Sequence, residues 1–358
     1  MEKILKILAI NPGSTSTKIA LYENEVSIFT KSLSHSADDI KKYDKISDQY
    51  EFRKQVIMDT VQEFGTNLSE IDIIVGRGGN MKPVQGGTYK INEAMVEDLK
   101  IGIMGQHASN LGGILANAIA TELGIPSYVV DPVVVDEFED YARISGMPEI
   151  KRKPKHHPLN QKAAARLAAK ELGGIYTDFN FVVAHLGGGI SIGAHKKGKV
   201  IDVNNCLDGD GPFSPERAGG LPVGSLVDLC FSGEYTKDEI KKRITGNGGL
   251  VAYLGTNDVR EVQRRIKAGD EYAKLIYETM AYQISKEIGA AATVLKGAVN
   301  AIILTGGVAY DDEFISWIIE RVEFIAPVKV YPGENEMASL VQGVLRVINR
   351  EEQLKLYS

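Results

Sequence analysis

Residues 4–23 of the chain read ILKILAINPGSTSTKIALYE. Two apolar runs, at residues 4–10 and 18–22, are joined here by a turn of proline, glycine and small hydroxyl residues. Short apolar runs that are bounded by turn residues are typical of buried β-strands. A polar turn at residues 23–25 then leads into a further run from Val26. The opening of the chain therefore predicts a meander of three strands.

The same pattern returns in the second half of the chain. Residues 179–184 form an apolar run that ends in His185-Leu186-Gly187-Gly188-Gly189, and further strand-like runs follow at 190–195 and from Val200. Almost no residues are identical between the two stretches, so the repeat is one of pattern. A repeated pattern of this kind predicts two related halves.

Helices alternate with strands over the rest of the chain. This alternation indicates an α/β fold, and the two meanders make each sheet mixed rather than purely parallel. Because 358 residues suit about two domains, we predict a first domain at residues 1–135 plus a C-terminal helix at 338–358, and a second domain at 136–337. The predicted elements are strands at 71–75, 127–130 and 301–304, and helices at 48–64, 108–123, 161–172 and 270–295.

The composition excludes several classes of protein. Forty-one lysine and arginine residues against 47 aspartate and glutamate residues give a net charge of −6, which argues against a nucleic-acid partner. No stretch approaches the roughly 18 uninterrupted apolar residues of a membrane-spanning helix, so we expect no membrane partner. Only Cys206 and Cys230 are present, which excludes a disulfide framework and favours a reducing compartment. We therefore expect a cytoplasmic protein.

Glycine is over-represented and is concentrated at the ends of predicted strands. The chain has 37 glycines, which is about 10% of its residues against a typical ~7%. Glycine-bearing loops after strands expose backbone N–H groups to which phosphate binds. Two common nucleotide motifs are not the explanation, because G-x-G-x-x-G is absent and the G-x-x-x-x-G-K at residues 193–199 lies in a predicted hairpin turn. The glycine sets are at residues 13, 76–79, 187–189 and 306–307.

Two polar positions at predicted strand ends are candidate ligand contacts. The segment Asn11-Pro12-Gly13-Ser14-Thr15-Ser16-Thr17-Lys18 places an amide, several hydroxyls and a cation on one tight turn, which favours a phosphate contact over a plain hydroxyl-rich turn. Asp131 ends the predicted strand at 127–130, where open α/β sheets bind ligands. Its alternative role is to cap a helix that would begin at Pro132.

Several of these segments together resemble the acetate and butyrate kinases, which belong to the superfamily of sugar kinases, heat-shock chaperone ATPases and actin. The resemblance rests on the Asn11–Lys18 turn, Asp131, the loop at 185–189 and the segment around Arg217, and it runs from residue 4 to about residue 347. Gly76-Arg77-Gly78-Gly79 and the residues 208–220, DGDGPFSPERAGG, favour the butyrate kinase branch. The resemblance implies two duplicated actin-like (ribonuclease H-like) domains with mixed sheets, flanking helices and an interdomain cleft.

The implied activity is ATP-dependent phosphorylation of a short-chain fatty acid, butyrate, to an acyl phosphate and ADP. A carboxylic acid with a pKa of about 4 is already ionised at neutral pH, so the enzyme needs no general base. What the reaction needs is positioning and charge neutralisation around an in-line transfer, for which arginine is suited. By resemblance, Arg77 contacts the acid and Arg217 contacts the transferring phosphoryl group.

The resemblance also implies roles for further residues. By its spacing to Arg166, His156 takes the place of a histidine that stabilises the transition state, and the adjacent His157 is the alternative. Asp131 takes a catalytic role, and His107 with Asn110 takes a position on the substrate side. Mg²⁺ is expected to be held by Asn11 and an acid of the 334–336 segment, for which we choose Glu336. ATP or ADP is expected to contact Asn11, Gly13, Ser14, Ser16, Lys18, His185, Gly187, Gly188, Gly189, Asp258, Val259, Arg260, Gly306, Gly307 and Val308.

Two alternatives to butyrate phosphorylation stay open. The first is the same chemistry on isobutyrate, propionate or acetate, because one methylene gives only ~1–3 kcal/mol of discrimination. The second is a nucleotide-switched binding protein of the heat-shock chaperone or actin type, although those proteins usually have aspartate where this chain has Asn11. Since the family tends to form dimers through its second domain, we expect a homodimer or a higher homo-oligomer.

Overall fold

A computed structural model of the protein describes residues 4–358. The chain divides into two compact units. The first contains the described residues up to Asp136 together with Asn335–Ser358, and the second is Glu137–Glu334. Among the described residues, no helix has both the length and the apolar character that crossing a membrane requires.

The described residues form a mixture of strands and helices, with short 3₁₀ turns at Ile46–Gln49, Leu68–Glu70, Tyr176–Asp178 and Gly307–Tyr310. The strands are β1 (Lys6–Pro12), β2 (Ser16–Glu23), β3 (Val26–Ser34), β4 (Ile73–Arg77), β5 (Thr88–Lys90), β6 (Ser127–Val130), β7 (Asn180–Leu186), β8 (Ile190–Lys196), β9 (Lys199–Val203), β10 (Ala301–Gly306), β11 (Val328–Pro332) and β12 (Lys355–Leu356). The helices are α1 (Ala37–Ile40), α2 (Tyr50–Glu63), α3 (Glu93–Ile101), α4 (Asn110–Leu123), α5 (Asp140–Arg143), α6 (Pro158–Glu171), α7 (Val223–Phe231), α8 (Lys237–Ile244), α9 (Gly249–Leu254), α10 (Val259–Lys267), α11 (Glu271–Val294), α12 (Asp312–Val322) and α13 (Glu336–Ile348).

The first unit is built on a sheet with the strand order β12-β5-β6-β4-β1-β2-β3. Strands β1, β2 and β3 form the antiparallel meander, and β4 and β6 add to it in parallel with β1. The four consecutive residues 7–10 of β1 are almost fully buried, so both faces of the sheet are covered. Helices α4 and α13 contact the central strands and supply this cover.

The sheet of the second unit has the order β11-β10-β7-β8-β9, which repeats the β6-β4-β1-β2-β3 part of the first sheet. The meander β7-β8-β9 is antiparallel, and β10 and β11 extend it in parallel with β7. The long helix α11 packs on this sheet through a row of buried residues that includes Tyr277, Met280, Ile284 and Ile288. Mixed sheets that are flanked by helices, as the sequence predicts, are therefore confirmed.

Candidate active site

In the first unit, three residues predicted to contact ligands meet at one edge of the sheet. Strands β1, β4 and β6 are parallel neighbours, so their carboxyl ends lie at the same edge. Asn11 is the last residue but one of β1, Arg77 ends β4, and Asp131 follows β6 directly. The carboxyl edge of parallel strands is where open α/β sheets bind ligands.

Arg77, Asn11 and Glu336 form one polar cluster at this edge. Arg77 Nη1 lies 2.6 Å from Glu336 Oε1, and Asn11 Nδ2 donates a hydrogen bond of 2.5 Å to Glu336 Oε2. Arg77 Nη1 also lies 3.4 Å from Asn11 Oδ1. Glu336 is the first residue of α13, where the helix dipole favours a carboxylate. The cluster therefore joins a predicted acid-binding residue to both predicted metal ligands.

The predicted phosphate turn forms the tip of the β1–β2 hairpin. Asn11 pairs with Lys18 across the two strands, and the N–H of Gly13 donates to the carbonyl of Ser16 at 2.8 Å to close the turn. Ser14 and Thr15 at the tip are exposed. The hairpin therefore presents backbone and hydroxyl groups to solvent beside the Arg77 cluster.

Asp131 is buried and held in an unusual backbone conformation. Its φ of 39° lies in the left-handed region, which few residues other than glycine adopt. Its N–H donates to the carbonyl of Gly87 at 2.9 Å, and its Oδ1 accepts from the N–H of Gly87 at 2.7 Å. Its alternative role as a helix cap is wrong, because the next helix, α5, begins only at Asp140. Strained residues of this kind concentrate at functional sites.

His107 and Asn110 both lie at the start of α4. His107 Nδ1 is 2.8 Å from Ser109 Oγ. The buried Asn110 side chain accepts from the N–H of Asn80 at 2.8 Å and donates to the carbonyls of Leu99 and Gly105. These bonds tie α4 to the glycine loop that follows Arg77, and a direct contact with substrate stays a prediction for both residues.

In the second unit, the predicted nucleotide loops also meet at one sheet edge. Strands β7, β10 and β11 are parallel neighbours, and their ends carry the loops at 185–189, 306–308 and 333–334. The backbones approach closely here, since a Cβ on Gly306 would lie 2.4 Å from the carbonyl oxygen of Leu186. Gly306 also has a φ of 95°, so glycine is required at this position for two reasons.

Histidines and polar partners cluster at this edge. His185 is buried, with Nδ1 2.6 Å from Asn160 Oδ1 and Nε2 3.1 Å from Glu334 Oε1. The half-buried ring of His157 stacks on His185 with a centroid distance of 3.8 Å, and its Nδ1 is 2.8 Å from Ser191 Oγ. Sequence reasoning missed Asn160, Ser191 and Glu334 as partners. The contact of Asn160 with His185 joins residues 25 positions apart, so no local spacing signalled it.

The adjacent His156 has different surroundings from His157. Its side chain is buried. Burial lowers the pKa of the fully buried His195, and the charge of Lys162 lowers it further. His156 makes the next largest contribution to this lowering. Of the two candidate histidines, His156 is therefore buried, whereas His157 stacks on the loop at 185–189.

Arg217 packs against the same glycine loop. A Cβ on Gly189 would lie 1.6 Å from Arg217 Nη1, so the guanidinium lies directly on the loop backbone. Nη1 donates to the carbonyl of Cys206 at 2.8 Å. The Nε atom is buried and makes no hydrogen bond within the described residues, so a donor is left for a further acceptor.

The remaining predicted nucleotide contacts lie at the start of α10. Asp258 caps this helix by accepting from the N–H of Arg260, and the Arg260 side chain makes two further bonds of 2.9 Å to the Asp258 carboxylate. Arg260 holds the pKa of Asp258 below its usual range. This pair is local to the start of α10, and its contact with nucleotide stays a prediction.

Comparisons with known proteins show the family to which the chain belongs. The model of the acetokinase family matches residues 150–352. Butyrate kinase 2 of Clostridium acetobutylicum is 56% identical over 98% of this chain and 99% of its own length. Butyrate kinase 1 of the same organism is 55% identical over the same shares. The chain belongs to the acetokinase family.

A solved structure shows that the fold is shared within the acetokinases. The acetate kinase of Porphyromonas gingivalis is 20% identical, with a TM-score of 0.78 over 96% of this chain and 100% of its own. The actin-like fold expected from the sequence is therefore confirmed. The two butyrate kinases match this acetokinase over nearly its whole length and theirs, so the protein is a kinase. The alternative of a nucleotide-switched binding protein is not supported.

Proposed function

We propose that the protein transfers the γ-phosphoryl group of ATP to butyrate, giving butyryl phosphate and ADP. The observation that carries this proposal is the identity of 55–56% to two butyrate kinases over nearly the full chain. In this reaction a carboxylate oxygen forms a bond to the γ-phosphorus, and the bond from phosphorus to the β-γ bridging oxygen breaks. The enzyme supplies position and positive charge rather than a base.

The two arginines take different parts in this proposal. Arg77 binds the carboxylate of the acid, supported by its place at a strand end and by the pairing with Glu336 that fixes its guanidinium. Arg217 binds the transferring phosphoryl group, supported by its buried, unbonded Nε and by its packing on the glycine loop. A guanidinium suits both ligands because its fork matches carboxylate and phosphate geometry.

We propose His157, rather than His156, as the histidine that stabilises the transition state. The support is the stacking of His157 on His185 and the hydrogen bond between its Nδ1 and Ser191. That bond fixes the ring orientation, and the partly exposed ring can reach a ligand at the sheet edge. Asp131, held in place by Gly87, takes an orienting role at the edge of the first sheet.

Mg²⁺ fits the donor set of the Arg77 cluster. The amide oxygen of Asn11 and the carboxylate of Glu336 would hold the ion, because both are hard oxygen ligands of the kind that Mg²⁺ prefers. Within residues 4–358, no group of three or more His, Cys, Asp or Glu side chains could hold a metal by itself. When bound, Mg²⁺ neutralises charge on the phosphate oxygens.

Formation of acyl phosphate tests the proposed function, because hydroxylamine traps acyl phosphate as a hydroxamate. Arg217→Ala should lower ATP-dependent hydroxamate formation from butyrate at least ~100-fold, since removing one transition-state donor typically costs that much. Arg321→Ala, on the exposed surface of α12, is the control and should leave the rate unchanged. An unchanged rate in Arg217→Ala would remove that residue from the mechanism.

The identity of the acid is tested by a rate profile over straight and branched acids of two to five carbons. A maximum of kcat/KM at butyrate supports the proposal. A maximum at acetate, propionate or isobutyrate would leave the phosphoryl transfer in place and change the substrate.

We also propose that the protein is a homo-oligomer of the cytoplasm. Helix α7 has no buried residue and exposes Leu221, Val223, Val227 and Phe231 at and around it. Contiguous exposed apolar residues of this kind mark interaction surfaces. The cytoplasmic assignment is supported by the free thiols of both cysteines.

A further inference from the structure

A buried arginine lies beneath the tip of the β1–β2 hairpin. Arg53 is on α2, and its side chain is fully buried. Burying a charge is costly unless the charge is well bonded, so an arginine in this position needs a reason. Burial lowers the pKa of Arg53 to about 10, which leaves the guanidinium charged at neutral pH.

Four of the six hydrogen bonds that Arg53 makes within residues 4–358 go to the hairpin tip. Nη1 donates to the carbonyls of Gly13 at 2.8 Å and Ser16 at 3.1 Å, and to Thr17 Oγ1 at 3.2 Å. Nη2 donates to the carbonyl of Ser14 at 2.9 Å. Gln49 Oε1 accepts from Nε at 3.1 Å and from Nη2 at 2.8 Å, which holds the fork from the other side.

This geometry sets the direction of the peptide groups at the tip. In a trans peptide the N–H points opposite to the C=O, and the described residues have no cis peptide bond. Because the carbonyls of Gly13 and Ser14 point at the buried guanidinium, the N–H groups of Ser14 and Thr15 point away from it. Both residues are exposed, so these amides face solvent. Outward backbone N–H groups are donors to which an anion can bind.

The hydrogen-bond partners of Arg53 are all neutral, so its charge is not cancelled locally. Within the described residues the partners are carbonyl oxygens, a hydroxyl and an amide. A fixed positive charge behind outward N–H groups adds to the attraction of the tip for an anion. A carboxylate in place of Gln49 would have cancelled that charge.

We propose that Arg53 is a positioning residue for phosphoryl transfer, which fixes the Gly13–Thr17 tip so that the amides of Ser14 and Thr15 face the terminal phosphates of ATP. Arg53 does not itself touch the nucleotide. The inference rests on the proposed function for the identity of the ligand, but its test does not need the acid. It predicts selective recognition of the terminal phosphates, whereas a merely structural arginine would affect all nucleotides or none.

Nucleotide binding in the absence of acid tests the proposal. Arg53→Lys keeps the charge and loses the fork, and calorimetry with Mg²⁺ should give a Kd for ATP at least tenfold higher. The Kd for AMP should stay within twofold, because AMP lacks the terminal phosphates. Arg346→Lys, an arginine of α13 that pairs with Glu352, is the matched control and should change neither affinity.

The results separate this inference from the proposed function. An ATP affinity within twofold in a folded Arg53→Lys variant overturns the inference, as does an equal loss of ATP and AMP binding. If Arg53→Lys does not fold, the variant Gln49→Ala is measured instead. This variant keeps Arg53 and removes only the side chain that accepts from its Nε and Nη2. A rise of about threefold or more in the ATP Kd of Gln49→Ala then supports the role, and no change overturns it. Unaltered protein that binds ATP but phosphorylates no acid refutes the proposed function alone.

Discussion

His156 and His157 are neighbours in the chain but differ in what they contact. His157 stacks on His185 and bonds Ser191, whereas His156 is buried. We predict that His157→Asn lowers kcat at least ~100-fold with little change in thermal stability. His156→Asn should instead cost about 1–3 kcal/mol of unfolding free energy, because it changes a buried polar group, and should leave kcat nearly unchanged. Hydroxamate kinetics and thermal melts of both variants give the comparison, and the reverse pattern would return the catalytic role to His156.

The acids of the 334–336 segment can be separated in the same way. Glu336 contacts Arg77 and Asn11, whereas Glu334 contacts His185. Glu336→Gln keeps the size of the side chain and removes its charge, so the Mg²⁺ concentration for half-maximal activity should rise about tenfold or more. Glu334→Gln is the matched control, and its Mg²⁺ midpoint should not move. A shift in Glu334→Gln alone would move the metal ligand to Glu334.

At the scale of elements, the packing of α4 on β4 sets the position of Arg77. A Cβ on Gly112 of α4 would lie 2.2 Å from the carbonyl oxygen of Arg77, and one on Gly76 would lie 2.1 Å from the carbonyl oxygen of Gly112. These contacts are to backbone, so an added methyl group must push the helix and the strand apart.

Gly112→Ala should therefore destabilise the protein by about 1–3 kcal/mol and also raise the KM for the acid. Gly289→Ala in α11 is the control, because a Cβ there meets nothing within 4 Å. It should stabilise the protein by about 0.5–1 kcal/mol through helix propensity and leave KM alone. Denaturant melts and acid kinetics measure both effects. A neutral Gly112→Ala would show that α4 does not hold Arg77 in place.

The hairpin also makes stability depend on pH. His35 is buried with its Nε2 2.8 Å from Thr17 Oγ1. Burial and the charge of Arg53 lower the pKa of His35 to about 4, although the charge of Asp39 acts in the opposite direction. The folded state therefore binds the proton of His35 more weakly than the unfolded state does. Above about pH 6.5 this residue does not change the free energy of unfolding, and as the pH falls from about 6.5 towards 4 it lowers that free energy.

The non-titrating variant His35→Gln isolates this effect. Between pH 7 and 4.5 the unaltered protein should lose about 2 kcal/mol more unfolding free energy than the variant. Urea melts across this pH range measure the difference. Equal losses in the two proteins would show that protonation of His35 does not lower the free energy of unfolding.

Elements with a clear local signal could be predicted from the sequence, and contacts made by tertiary packing could not. Helix α11 was expected at 270–295 and runs Glu271–Val294, because the side chain of Asp270 caps it. Helix α2 begins at Tyr50 rather than 48, because Ile46–Gln49 form a 3₁₀ turn first. Arg53 had no signal, since an arginine on an amphipathic helix is normally exposed.

At the scale of the whole molecule, the two sheets share an arrangement of five strands and carry different chemistry. Each unit has an antiparallel meander extended by two parallel strands. In the first unit the carboxyl edge carries an arginine and an amide, Arg77 and Asn11, whereas in the second it carries His185 with its partner Glu334. The repeat was visible as a pattern and not as identity, because the shared topology restricts burial and turns while the ligand contacts differ.

Assembly is the last property that belongs to the whole molecule. Phe231 at the end of α7 is 86% exposed, and the neighbouring apolar residues of this helix are exposed with it. Phe324 is 84% exposed and lies just beyond the end of α12.

If α7 lies in the interface between copies, Phe231→Glu places a charge in the buried centre of the interface and should cost about 2 kcal/mol or more of association free energy. Sedimentation velocity over a range of protein concentrations should then show smaller species for Phe231→Glu than for Phe324→Glu, which matches it in exposure and in charge. Equal dissociation in both variants would point to a general charge effect, and an unaltered protein that sediments as a monomer at micromolar concentration would refute the oligomer.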